Sequence, residues 1–279
     1  MTERLLEFAG LELCVETFGN QGDRAVLMIM GATASKGWWP DEMVQRLAAA
    51  GRFVLRYDHR DTGRSTAWPP GEPGYTIDDL ADDALRILDA HELASAHVVG
   101  MSLGGLIAQL LALRDPRRVR TLTLIASEVL GDPGFEPSPI DPAIMDHFAS
   151  ASGLDWLDEN AVAAFVERLW RLNAAPGRDA SPLVARTARG EVRRARSPAS
   201  MLNHAMIAGA EAWQDRTAEI TQPMQIVHGR LDPVVEYRHA LALARMARNA
   251  RLLTLDRAGH ELHEAEWDAI LAAILRQTA

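Results

Sequence analysis

Ser102 stands in the stretch His97–Gln109, HVVGMSLGGLIAQ, with Gly100 and Gly104 two residues to either side. Its neighbours Met101 and Leu103 are apolar, unlike those of a serine in a solvated loop. G-x-S-x-G spacing where a buried strand gives way to a buried helix suits a sharp turn that lifts the hydroxyl clear of the sheet. The glycines let strand and helix approach without Cβ clashes. The helix N-terminus behind the serine offers backbone N–H groups to a developing oxyanion. The chemistry this suggests is nucleophilic attack on a carbonyl; a plain helix N-cap is the competing reading.

A serine hydroxyl needs a base, and the base needs a carboxylate to orient it. Of nine histidines, His260 in DRAGHELHE follows the last expected strand through Ala258-Gly259. That places it on a loop at the strand's carboxyl end, the same edge as Ser102. His263 is the main competitor, but it falls where the final helix should begin. The carboxylate is expected between serine and histidine in chain order. Asp232 in HGRLDPVV comes just after the expected strand Met224–His228, with Pro233 stiffening the turn; an ordinary turn aspartate is the competing reading. Asp256 is nearer to His260 in sequence but ends a strand. The loop after the first expected parallel strand, Gly31-Ala32-Thr33-Ala34-Ser35, should supply the Ala32 N–H as an oxyanion donor, beside the Leu103 N–H. RYDHRDTGRS (Arg56–Ser65) is dense in charge. Internal bracing by Asp58, His59, Arg60 and Asp61 explains it better than anion or metal binding, whose ligand spacing is absent.

These residues must be carried by a framework. Leu5–Phe8 and Leu11–Phe18 read as a hairpin. Ala25–Met30, Arg52–Tyr57, Ala96–Val99, Leu122–Ala126, Met224–His228 and Arg251–Leu255 read as strands. Helices are expected over Pro40–Ala50, Thr76–His91, Leu103–Arg114, Val235–Arg248 and Glu264–Arg276. Alternation of this kind implies an α/β fold with a mostly parallel central sheet flanked by helices. The alternation breaks over about 128–215, where no convincing strand is found. The expected organisation is a core over 1–127, a helical cap insertion over 128–215 and the rest of the core over 216–279. A cap so placed would lie over the carboxyl ends of the strands, where open sheets bind ligands.

The order MGATAS, RYDHRDTGRS, GMSLGG, LDPVV and AGH, spanning nearly the whole chain, resembles the α/β-hydrolase fold superfamily. RYDHRDTGRST and HVVGMSLGG are most similar to bacterial carboxylic-ester hydrolases of the aclacinomycin methylesterase type, small capped enzymes acting on polyketide methyl esters. The resemblance implies a catalytic triad of Ser102, Asp232 and His260, an oxyanion hole at Ala32 and Leu103, and a helical cap. Two departures stand out. Met30-Gly31 replaces the His-Gly of many superfamily members, as in the methylesterase group, and ELHEAEW after the histidine is unusually acidic.

The expected activity is therefore a serine esterase working through an acyl-enzyme on a small or medium apolar ester, a methyl ester among them. A lactonase, a carbon–carbon bond hydrolase or a perhydrolase would use the same triad. A ligand-binding protein with little turnover is the alternative from another class. Trp38, Trp39, Met101 and His204 are candidates for the substrate pocket, although packing alone would explain most aromatic residues of the cap. Arg189, Arg193, Arg194 and Arg196 read as a solvated helix face.

Composition bounds the rest. The chain has 279 residues and a formal net charge of −9, which argues against nucleic acid or an anionic membrane as partner. The single cysteine, Cys14, allows no intrachain disulfide and reads as a packed thiol in a reducing compartment. MTERLLEFAG has no apolar run of the secretory kind, so a cytoplasmic protein is expected. No metal or organic cofactor is expected, the partner is a small-molecule ester, and a homo-oligomer is left open.

Overall fold

The computed structural model describes residues 2–178 and 181–279. Eight strands among these form one sheet in the order β1-β2-β4-β3-β5-β6-β7-β8. β1 (Thr2–Phe8) and β2 (Leu11–Phe18) make an antiparallel hairpin whose second strand pairs with β4 (Arg52–Tyr57). β3 (Arg24–Ile29), β4, β5 (Ala96–Met101), β6 (Val119–Ile125), β7 (Met224–Gly229) and β8 (Ala250–Leu255) are all parallel. The expected mostly parallel sheet is therefore the observed one.

The central strands are apolar because helices cover both faces. Along β3, Leu27 and Ile29 join one hydrophobic cluster while Val26 and Met28 join the other. β5 divides likewise, Val98 to one side and Val99 and Met101 to the other. The first face is covered by α2 (Ile77–Ala90), α3 (Leu103–Arg114) and α7 (Tyr237–Met246), the second by α1 (Asp41–Ala49) and α8 (Trp267–Gln277). Each fully buried Leu, Ile or Met side chain contributes about 1.5–3 kcal/mol. An exposed pair such as Arg46–Asp268 contributes about 0–1 kcal/mol, so burial holds the layers together. α2 starts with a reciprocal capping box between Thr76 and Asp79.

Between β6 and β7 the described residues form helices and turns but no strand: α4 (Pro142–Ser150), α5 (Glu159–Leu172), α6 (Leu183–Arg194) and a 3-10 segment Pro198–Ala205. α5 packs against α6, and Val162, Phe165 and Val166 of α5 join the second cluster. Because β3 to β8 run in one direction, the loops leaving their carboxyl ends gather on one edge. Those loops carry Gly31–Ser35, Asp58–Ser65, Ser102, Asp232 and His260.

The charged loop after β4 is a brace. Asp58 accepts the Lys36 N–H at 3.0 Å and the Arg64 N–H at 2.9 Å. Asp61 accepts from the Trp68 N–H, the Tyr75 hydroxyl and the Asn203 amide. Arg60 grips Asp83 through two hydrogen bonds of 2.6 and 2.8 Å. Removing either partner of that buried pair would cost about 3–5 kcal/mol. Arg194 departs from the expected solvated face: it reaches Asp58 at 2.8 Å and Glu3 at 2.7 Å, because α6 lies against the core loops. Cys14 is buried as expected, and burial beside the negative charges of Asp58 and Glu3 pushes its thiol up to about 12.

Candidate active site

Ser102 has φ +52° and ψ −120°, a backbone conformation that non-glycine residues rarely adopt. Neighbouring strands and α3 over-determine it. The Ser102 N–H donates to the Ile125 carbonyl at 2.9 Å, and its carbonyl accepts from Gly105 and Leu106 N–H at 2.7 and 3.2 Å. Ser127 Oγ–H donates to the same carbonyl at 3.2 Å. The hydroxyl makes no cap bond to its own helix, so the N-cap reading does not describe it. The flanking glycines are sterically required: a Cβ on Gly104 would collide with the Ile29 and Met30 carbonyls, and one on Gly100 with Gly104. α3 therefore starts directly behind the strand ends, with Leu103 as its first residue.

Asp232 and His260 lie on the loops after β7 and β8. His260 Nδ1 and Asp232 Oδ2 are 2.8 Å apart. A carboxylate oxygen accepts, so Nδ1 carries the proton and Nε2 is the basic nitrogen. Asp232 Oδ1 accepts the Val234 and Val235 N–H groups at 2.9 and 2.8 Å, which fixes the carboxylate within its turn. His228 Nε2 lies 3.4 Å from Asp232 Oδ2 and donates to the Val235 carbonyl at 2.9 Å. Burial alone would raise the Asp232 pKa, but His260 and His228 hold its carboxyl far below the usual range. Burial alone would lower the His260 pKa; the Asp232 carboxylate reverses this, helped by the charges of Glu128 and Glu261, and the net shift is upward.

The upward shift has a sign consequence if His260 is a general base: the neutral form would be the competent one, lost as pH falls through a pKa above the ordinary 6.5. We expect kcat/KM for a non-ionising ester to be flat at alkaline pH and to fall about tenfold per pH unit below that pKa. A midpoint below 6.5 in the pH–rate profile would contradict the shift.

Gly31 follows β3 and passes close to the serine: a Cβ there would sit 3.2 Å from Ser102 Cβ and 3.9 Å from Oγ. Its neighbour Ala32 donates its N–H to no protein acceptor among the described residues. The other sequence candidates are placed variously. Trp38 stacks on Trp170 of α5, with ring centroids 3.7 Å apart and planes at 9°. Trp39 is 0% exposed in the core and Met101 is 2% exposed. His204 is 5% exposed, with Nδ1 accepting the Thr33 N–H and Nε2 donating to the Arg60 carbonyl, each at 2.9 Å. Of the rival residues, Asp256 is exposed and paired with Arg230, and His263 caps the turn at Ala265.

Sequence reasoning missed Glu128, His228 and Glu191 of α6. The signal for the first two was their position at or just past the carboxyl ends of β6 and β7. A cavity of about 470 Å³ is lined by Trp38, Trp170, Leu183, Glu261, His263 and Trp267 among others. None of Ser102, Asp232 and His260 lines it. Among the described residues no group of three or more His, Cys, Asp or Glu is placed to hold a metal ion, and no helix is long and apolar enough to cross a membrane.

Comparison with known proteins adds to this geometry. Residues 24–266 match the family described as alpha/beta hydrolase fold. The chain belongs to that family. It is 34% identical to the rhodomycin D methylesterase DauP of Streptomyces sp. (strain C5), over 100% of this chain and 98% of that protein. It is 33% identical to the rhodomycin D methylesterase DnrP of Streptomyces peucetius, with the same coverage. Among solved structures, a hydrolase from Pseudomonas aeruginosa PA01 superposes with a TM-score of 0.76 at 27% identity, covering 99% of this chain and 97% of that one. The α/β-hydrolase architecture accounts for the strand order and for the loops that gather at one sheet edge.

Proposed function

We propose that the protein is a serine carboxylic-ester hydrolase that cleaves an ester of a small alcohol, a methyl ester foremost, through an acyl-enzyme. The observation that carries this reading is the His260–Asp232 hydrogen bond, on the same sheet edge as a serine held in strained backbone geometry whose hydroxyl makes no cap bond to its own helix. Full-length similarity to two methylesterases supports the choice of alcohol.

In this reading His260 Nε2 takes the Ser102 Oγ proton as Oγ bonds to the ester carbonyl carbon. The carbonyl electron pair moves onto oxygen, where the Ala32 and Leu103 N–H groups receive it. Each such donor lowers the barrier by roughly 2.7–4 kcal/mol. Imidazolium then protonates the alkoxide leaving group as the carbon–oxygen bond breaks. Water, deprotonated by the same nitrogen, cleaves the acyl-enzyme and restores Ser102. Asp232 keeps the proton on Nδ1 and stabilises the imidazolium. The chemistry draws on side chains and backbone alone. A cytoplasmic setting remains part of the proposal, in keeping with a single buried thiol.

The test combines p-nitrophenyl esters of graded acyl length with the matching methyl esters. The expected result is a burst of one p-nitrophenol per chain, an acyl mass increment on the Ser102 peptide, and steady methanol release from the methyl esters. Absence of both burst and turnover in folded protein would sink the reading in favour of a binding role.

A further inference from the structure

Among the described residues, side chains of the proposed cap hydrogen-bond the 31–35 loop beside Ser102 at Thr33 and at Ser35, both just after the proposed oxyanion donor. We propose that the cap side chains His204 and Glu191 are positioning residues that hold the 31–35 loop so that the Ala32 N–H faces the carbonyl attacked by Ser102. The proposal rests on the functional reading above and adds to it a role for the cap in forming the catalytic geometry.

The partners of His204 determine its tautomer. The Arg60 carbonyl can only accept, so Nε2 carries the proton and Nδ1 is the bare nitrogen that accepts the Thr33 N–H. Burial, together with His59, pushes the His204 pKa down to about 3, so the ring stays neutral and keeps that acceptor. Thr33 itself has φ +63°, an unfavourable conformation for a β-branched residue. Its hydroxyl donates to the Ala32 carbonyl at 2.6 Å. Both ends of the Ala32–Thr33 peptide plane are thereby held: the carbonyl by the Thr33 hydroxyl, the N–H by His204. Loss of both bonds would free ψ of Ala32 and φ of Thr33, so that the loop could relax from its strained Thr33 conformation and carry Ala32, with its N–H, out of place.

Glu191 makes the second attachment from α6. Its Oε2 accepts the Ser35 N–H at 3.2 Å and the Ser35 hydroxyl proton at 2.7 Å, with Ser35 fully buried. Ser35 Oγ in turn accepts the Gly37 N–H at 3.2 Å. Arg194 of the same helix pairs with Asp58, which accepts the Lys36 N–H. Strained backbone persists only where its surroundings over-determine it, and at Thr33 much of that constraint comes from the cap.

The test compares the full chain with His204→Ala, His204→Asn and Glu191→Ala. Loss of a complete oxyanion donor typically costs about 100- to 1,000-fold in kcat. Partial misplacement of the loop in His204→Ala should lower kcat about 10- to 100-fold, with KM within about threefold. Amide exchange should quicken over 31–37 and little elsewhere. His204→Asn, whose Oδ1 can take the place of Nδ1 as acceptor, should recover most of the loss. Glu191→Ala should reproduce the kcat-selective fall from the other anchor, and it carries the test if His204→Ala does not fold. Unchanged kcat together with unchanged exchange over 31–37 would overturn the proposal. So would a rise in KM at constant kcat, which would make His204 a substrate contact. If the wild-type chain shows no Ser102-dependent turnover, the functional reading fails separately, and exchange over 31–37 still decides whether these side chains hold the loop.

Discussion

Ser102→Ala is expected to lower kcat by about a million-fold, to the residue of rate that binding and oxyanion stabilisation alone provide. The physical reason is that, in the proposed mechanism, the carbonyl loses its nucleophile. His260, with its basic Nε2, must then activate water at a position shaped for Oγ. The fold should not change. The hydroxyl makes no cap bond to α3, so the stability change should stay within about 0.5 kcal/mol, roughly 1–2 °C in Tm for a domain of this size. Initial rates on a p-nitrophenyl ester and a thermal melt on the same sample check both halves. Activity within a thousand-fold of wild type would remove Ser102 from the nucleophile's role.

Asp232→Asn should cost about 10,000-fold in kcat with little change in geometry. Asparagine can still accept the Val234 and Val235 N–H groups through Oδ1, as the carboxylate does. Its Nδ2 would then face His260 Nδ1. A donor there forces the His260 proton onto Nε2, the nitrogen that the proposed mechanism needs bare to take the serine proton. The upward shift of His260 should go as well, since the Asp232 carboxylate is its largest favourable cause. The base would then titrate at lower pH, so whatever activity remains should persist to more acidic pH. Asp256→Asn is the control. Asp256 is exposed and bound to Arg230, so kcat should stay within about twofold. Equal losses in the two variants would overturn the assignment of Asp232.

Much of this site was legible in the residues because its chemistry depends on turns, and turns leave local marks. Gly100 and Gly104 announce a contact too close for Cβ atoms, and the collisions with the Ile29, Met30 and Gly104 backbone bear that out. The strands were legible because a sheet covered on both faces needs unbroken apolar runs such as AVLMIM. Asp232 was preferred to Asp256 because it opens the loop after an expected strand whereas Asp256 ends one, and the 2.8 Å contact between Asp232 and His260 agrees with that preference.

The helical segment between β6 and β7 was the least legible part. A broken alternation of strands and helices marked it, but its hydrogen bonds to the 31–35 loop leave no local mark, since they join residues more than a hundred positions apart. His204 and Thr33 are 171 residues apart, Glu191 and Ser35 156. A lone histidine on a short helical segment looks the same whether it faces a substrate or a backbone amide. For the same reason Arg194 read as solvated until α6 was seen lying on Asp58.

By itself, then, the sequence determined the parallel sheet, the strained serine turn and which loops share the edge that carries Ser102, Asp232 and His260, because periodicity and glycine sterics are local. Tertiary structure alone decided which nitrogen of the His260 ring is left basic and which side chains of the segment between β6 and β7 grip the loop beside Ser102. Those outcomes depend on distances and burial created only when separate segments pack, and no spacing along the chain encodes them.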